Sequence, residues 1–172
     1  MRISKMKIQI PSENGFLPEK YAKYSETKLN GNAVISFPIT VEDVPEGAKT
    51  LAVVFVDFDS IPVCGFAWIH WTAANIPADV SEIPENASQD GALGMVQGVN
   101  SCASPFVGEK DERVTKRYIG PCPPDKDHVY KLTVYALDCE LDVKEGFFLN
   151  ELLEKMNGHI IEKTALNIGG HC

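Results

Sequence analysis

RYIGPCPPDKDHVYKLTVYALD, residues 117–138, couples a stiff bend to a strand. Gly120-Pro121-Cys122-Pro123-Pro124 can neither continue a helix nor enter a central strand, because each proline fixes φ and lacks an N–H donor. Gly120 also allows backbone angles that residues with a Cβ resist. Beyond the bend the pattern has a period of two. His128, Tyr130, Leu132, Val134 and Ala136 share one face, and Val129, Lys131, Thr133, Tyr135 and Leu137 take the other. An imidazole and a phenol therefore stand side by side where the strand begins. Strand ends beneath rigid loops are where binding groups are often held.

Moving outward from this stretch, 172 residues suit one domain spanning 1–172, with a core large enough to sustain it. Apolar residues make up 44% and charged residues 23%, the balance of a globular protein. A formal net charge of −8 argues against sequence-independent nucleic-acid binding and against electrostatic adhesion to anionic membranes. The opening MRISKMKIQIPSENG has no apolar core of signal-peptide length, and no later run approaches a membrane span, so a cytoplasmic protein is expected. Five cysteines (64, 102, 122, 139 and 172) lack any CxxC pair, which in a reducing compartment reads as free thiols used for packing.

The other elements follow in order. Lys5 to Ile10 alternates weakly and reads as a first strand, and Ala33 to Ile39 as a second, followed by an acidic connector from Thr40 to Lys49. Leu51 to Phe58, LAVVFVDF, is the most apolar run and reads as a central strand buried on both faces. It closes on Asp57-Phe58-Asp59. Two carboxylates at the mouth of a buried strand need partners, although Asp59 also suits a simple turn-capping role. Phe66 to Ile76 is a further strand, with Trp68, His70 and Thr72 on one face and Ile69, Trp71 and Ala73 on the other. The segment from Ala78 to Arg113 is a long loop of little periodicity. Glu145 to Asn157 has helical spacing with a cap at Asn157-Gly158, and His159 to Ile168 reads as a last strand before a tail.

Asp57, His70 and the pair His128/Tyr130 thus sit at or near strand ends on three segments. Each also has a packing reading: a lone strand histidine is often a satisfied core residue, and Tyr130 could bury its ring and bond a carbonyl. No phosphate loop, dinucleotide fingerprint or nucleophile elbow appears.

The motifs together resemble the phosphatidylethanolamine-binding protein family, in its bacterial and archaeal branch often labelled Raf-kinase-inhibitor-like. The likeness rests on Asp57-Phe58-Asp59-Ser60-Ile61-Pro62, Ile69-His70-Trp71, Asn75-Ile76-Pro77, Tyr118 through Pro124, His128-Val129-Tyr130 and Tyr135-Ala136-Leu137-Asp138. It covers nearly the whole chain. Two features depart from the family pattern. The first turn is one residue longer than D-x-D-x-P, and Val129 stands where arginine is usual.

The resemblance implies a mainly β fold, with a large central antiparallel sheet packed on a second small sheet and one or two short helices, including a C-terminal one. It implies a small pocket at the sheet's end for phosphate, phosphoryl head groups or carboxylates, formed by Asp57, His70, Gly120, Pro121, His128 and Tyr130. The expected role is non-enzymatic anion binding, with a phosphorylated ligand or partner and no cofactor. A hydrolase using His/Asp acid–base chemistry in the same pocket is the alternative. Two histidines and a carboxylate are also a ligand set for iron or zinc. Bacterial relatives are often dimers, a state the sequence neither supports nor excludes.

For an anion, Asp57 is expected to accept an N–H from one imidazole. His70 and His128 would then offer their remaining N–H groups, Tyr130 its hydroxyl, and the backbone near Gly120 further donors. Such charge-assisted bonds contribute about 1.5–3 kcal/mol each, which points to millimolar-to-micromolar affinity.

Overall fold

The computed structural model describes residues 5–172. Its centre is an antiparallel five-stranded sheet ordered β10-β9-β5-β6-β8, built from β5 (Thr50–Asp57), β6 (Trp68–Pro77), β8 (Val96–Gln97), β9 (His128–Leu137) and β10 (Ile160–Gly170). A three-stranded sheet, β1 (Lys7–Gln9), β4 (Ile39–Glu42) and β7 (Glu82–Ile83), runs in the order β1-β4-β7. A small hairpin joins β2 (Lys28–Leu29) to β3 (Asn32–Ala33). The fold is mainly β, as expected. Three single-turn helices, α1 (Ile61–Cys64), α2 (Ala87–Asp90) and α3 (Glu112–Thr115), punctuate the loops, and α4 (Leu149–Met156) is the longest helix described.

β5 is buried at every position because both of its faces are covered. Leu51, Val53 and Phe55 enter the main core with Phe37, Trp71, Tyr118 and Leu132. Ala52, Val54 and Val56 pack on the other side with Leu152 and Met156 of α4. Burying each such large side chain contributes about 1.5–3 kcal/mol, so the β-branched, apolar run of this segment explains its central place. Aromatic rings finish the main core: Phe37 meets Phe55 edge-on at 5.2 Å and Tyr118 at 5.5 Å.

Several boundaries differ from the sequence reading. Ala33 to Ile39 is not one strand. Residues 34–38 cross from the hairpin to the small sheet, with Ser36 receiving N–H groups from Asn86 and Ser88, and the strand resumes at Ile39 and runs on to Glu42, into the supposed connector. Pro38, lacking a donor, suits that crossing. The helix begins at Leu149 rather than Glu145. The last strand runs on through Gly169 and Gly170, which pair with Val129 and His128. The long loop after Pro77 carries β7, α2, β8 and α3 rather than lacking structure. No helix is long and apolar enough to cross a membrane among the described residues.

Candidate functional site

Three strand ends converge as the motifs suggested. Asp57 closes β5 and lies opposite Tyr130 on one side and Trp68 on the other. His128 opens β9 and pairs across with Gly170. Alternation along β9 holds: His128 and Tyr130 are buried while Val129 is 53% exposed.

His70 arrives by a route that alternation does not foresee. In the β5–β6 ladder Phe55 pairs with Trp71 and Val56 with Ile69, leaving His70 as the extra residue of a bulge. A bulge turns two successive side chains toward one face. His70 and Trp71 consequently share the side of Phe55 and Tyr118, whereas the sequence reading placed them on opposite faces. The His70 ring stands 5.1 Å from that of Tyr130 and 5.7 Å from that of Phe55.

A cavity of about 340 Å³ opens here, lined by Asp57, Ser60, Trp68, His70, Gly120, Cys122, His128 and Tyr130 among others. Five of the six expected residues line it. Pro121 does not; it is buried beneath, against Gly170, where an added Cβ would come within 2.8 Å of the proline ring. Gly120 is required for closeness rather than for unusual backbone angles, as its φ is not positive. A Cβ there would sit 2.2 Å from the Tyr21 carbonyl oxygen.

The hydrogen bonds assign distinct states to the two imidazoles. His128 reaches Asp57 Oδ2 through Nδ1 at 2.7 Å and Asp125 Oδ1 through Nε2 at 2.8 Å. Burial, the largest single influence, works to lower its pKa, but the hydrogen bonds to Asp57 and Asp125 outweigh it and the net shift is upward. Both ring nitrogens then donate, and the ring is an imidazolium. His70 is the reverse. Burial dominates and drops its pKa to about 4, so the ring is neutral at physiological pH. Its Nδ1 lies 2.9 Å from the Ile119 carbonyl oxygen, which fixes the proton on Nδ1 and leaves Nε2 an acceptor. Tyr130 is held as a neutral donor. Burial, then the adjacent Asp57 carboxylate, push its pKa far up.

Asp57 therefore does accept from an imidazole, namely His128. It also receives the Ser60 N–H at 3.1 Å, capping the turn that leaves β5. Asp59, read as a turn cap, instead takes the Val129 N–H at 2.9 Å. The backbone donors expected near Gly120 are engaged: Gly120 N–H bonds the Ala33 carbonyl and Ile119 N–H that of His70. Ser60 is a positioning residue that the sequence reading did not single out. Its hydroxyl lies 2.8 Å from the carbonyl oxygens of Asp57 and Phe66, and it accepts from Trp68 N–H at 2.9 Å. Those commitments leave it poorly placed as a nucleophile. Asp125 was also missed, although an acid three residues ahead of a histidine on a tight bend was a signal to follow.

Comparison with known proteins bears on the family and the fold. Residues 7–169 match the family model described as phosphatidylethanolamine-binding protein. The chain belongs to the phosphatidylethanolamine-binding protein family. It is 55% identical over 157 residues to the uncharacterized protein YxkA of Bacillus subtilis, covering 90% of this chain and 94% of that one. A UPF0098 protein of Methanothermobacter thermautotrophicus is 33% identical over 163 residues, covering 94% of each chain. Among solved structures, the phosphatidylethanolamine-binding protein homologue CT736 of Chlamydia trachomatis superposes with a TM-score of 0.78 at 32% identity, covering 98% of both chains. The E. coli protein YbcL, described as a member of the mammalian family, gives 0.77 at 25% identity, covering 98% of this chain and 99% of that one.

Proposed function

We propose that the protein binds a small oxyanion, a phosphoryl or carboxylate group, at this pocket without transforming it. One observation carries the reading. The buried His128 imidazolium is held between a fixed carboxylate, Asp57, and a side chain half in solvent, Asp125. A carboxylate already satisfies Nε2 at the site, and an external oxyanion exchanging with Asp125 would take over a charge-assisted hydrogen bond of the same kind. Tyr130 adds a neutral hydroxyl. The neutral His70 contributes an acceptor, which suits a ligand retaining one proton, such as a phosphate monoester monoanion.

Catalysis is less well served. His128 has both nitrogens engaged, so it is no free general base, and the Ser60 hydroxyl is bound to backbone. The test is calorimetric or phosphorus NMR titration with inorganic phosphate, and separately with acetate. Saturable millimolar-to-micromolar binding is expected, and His128→Ala should abolish it while the domain stays folded. Undiminished phosphate affinity in that variant would remove the reading.

A further inference from the structure

β9 carries this pocket at its first residue, and about 30 Å away, at roughly 3.3 Å per residue, its far end leads into a different cluster. Asp138 and Cys139 follow β9 directly, and His159 directly precedes β10. One ligand atom from each of the three lies within 4.8 Å of the others. We propose that Asp138, Cys139 and His159 form a binding site for a divalent cation of the zinc class, separate from the anion pocket.

The three positions are held by backbone rather than by long flexible stems. Asp138 N–H bonds the His159 carbonyl at 3.0 Å, and His159 N–H bonds that of Met156 at 2.9 Å. Thr50 Oγ1 donates to the Cys139 carbonyl at 2.6 Å. His159 Nδ1 already lies 2.8 Å from Asp138 Oδ1. Zinc bonds of about 2.0–2.3 Å set tetrahedral ligand atoms roughly 3.3–3.8 Å apart, so changes in separation of up to about 1.5 Å would seat the metal.

The donor set selects the cation. One thiolate, one imidazole and one carboxylate match zinc and its neighbours, whereas magnesium and calcium demand oxygen throughout. Half-exposed Asp138 and His159 leave an entry path and room for a water as fourth ligand. His159 also bonds a terminal carbonyl of α4, the end of a helix that favours positive charge. On binding, Cys139 releases its thiol proton to solvent as the sulfur–metal bond forms. His159 contributes a neutral imidazole nitrogen, and thiolate plus carboxylate balance the dication. Lys49 opposes it, since its ammonium acts on both Asp138 and Cys139. Without a metal, an Asp138–His159 surface ion pair with the Cys139 thiol hydrogen-bonded to Asp138 accounts for the same three side chains, and such an exposed pair contributes little.

Titration of tag-free, reduced protein with cobalt(II), followed by zinc displacement, tests this. One equivalent of cobalt should bind with a sulfur-to-cobalt charge-transfer band that zinc removes. Cys139→Ser should erase the band, and His159→Ala should weaken binding roughly tenfold or more, at least the loss that removing an outer-shell partner produces. Both variants should keep the wild-type circular dichroism. Lys49→Met should tighten binding, and serine at Cys64, Cys122 and Cys172 together should leave the band intact. Absence of a thiolate band in the wild type, or its survival in Cys139→Ser, overturns the proposal.

Discussion

Asp125 and His128, three residues apart on the bend that enters β9, are joined through Oδ1 and Nε2 at 2.8 Å, one half in solvent and the other buried. On the proposed function, Asp125 is an internal competitor for the ligand. Asp125→Asn should therefore raise phosphate affinity near pH 6 by up to about fivefold, because a half-exposed ion pair is worth at most ~1 kcal/mol. Calorimetry on the two proteins decides it. Weaker binding in the variant would mean that Asp125 supports the site rather than competing within it.

The pH profile of anion binding should report one imidazole. The Asp57 and Asp125 carboxylates overcome burial and raise the His128 pKa above its ordinary value, so affinity should fall as pH rises beyond that raised pKa. His70 adds no charge above about pH 4. Histidine NMR titrations with phosphate present check both. A His128 ring already neutral at mildly acid pH would refute the assignment.

Stability should depend on His70 with the opposite sign. Its folded pKa, about 4, lies below the ordinary value of 6.5, so the unfolded chain binds its proton more readily. The neutral-ring contribution is complete above about pH 6.5 and is lost as pH falls toward about 4, up to about 3 kcal/mol in all. Urea unfolding across that window should show a shallower decline for His70→Asn. Identical slopes would show that other groups govern the acid limb.

Gly120→Ala should destabilise the fold by about 1–3 kcal/mol or more. The added methyl would meet the Tyr21 carbonyl oxygen at 2.2 Å and the Ala33 Cβ at 2.9 Å, and backbone cannot swing aside as a side chain can. Chemical denaturation within about 0.5 kcal/mol of the wild type, the range of a neutral surface change, would contradict this close packing.

Much of the frame was legible because two strands announce themselves locally. The unbroken apolar run became the doubly buried β5, and alternation after the proline bend sent His128 and Tyr130 inward with Val129 outward. What could not be read were features that depend on a partner strand. His70 faces the cavity through a bulge defined by the pairing of Phe55 and Val56, and no period within its own segment encodes that. The charge states were equally non-local. The two imidazoles looked alike in sequence, yet one sits between carboxylates and the other against a carbonyl oxygen and aromatic rings.

β9 is laddered on both flanks, to β5 and to β10. Sliding it by a single residue would expel Tyr130 along with every core residue of that face and bring Val129 inward. Recognition and folding thus share one rail here, and changes that shift the strand's register should unfold the chain before they create new ligand preferences, whereas a point change that keeps the register, such as His128→Ala, should not. Room for altered selectivity lies instead in exposed residues at the cavity's mouth, such as Val63, Cys122 and Pro124, which lie outside the strands.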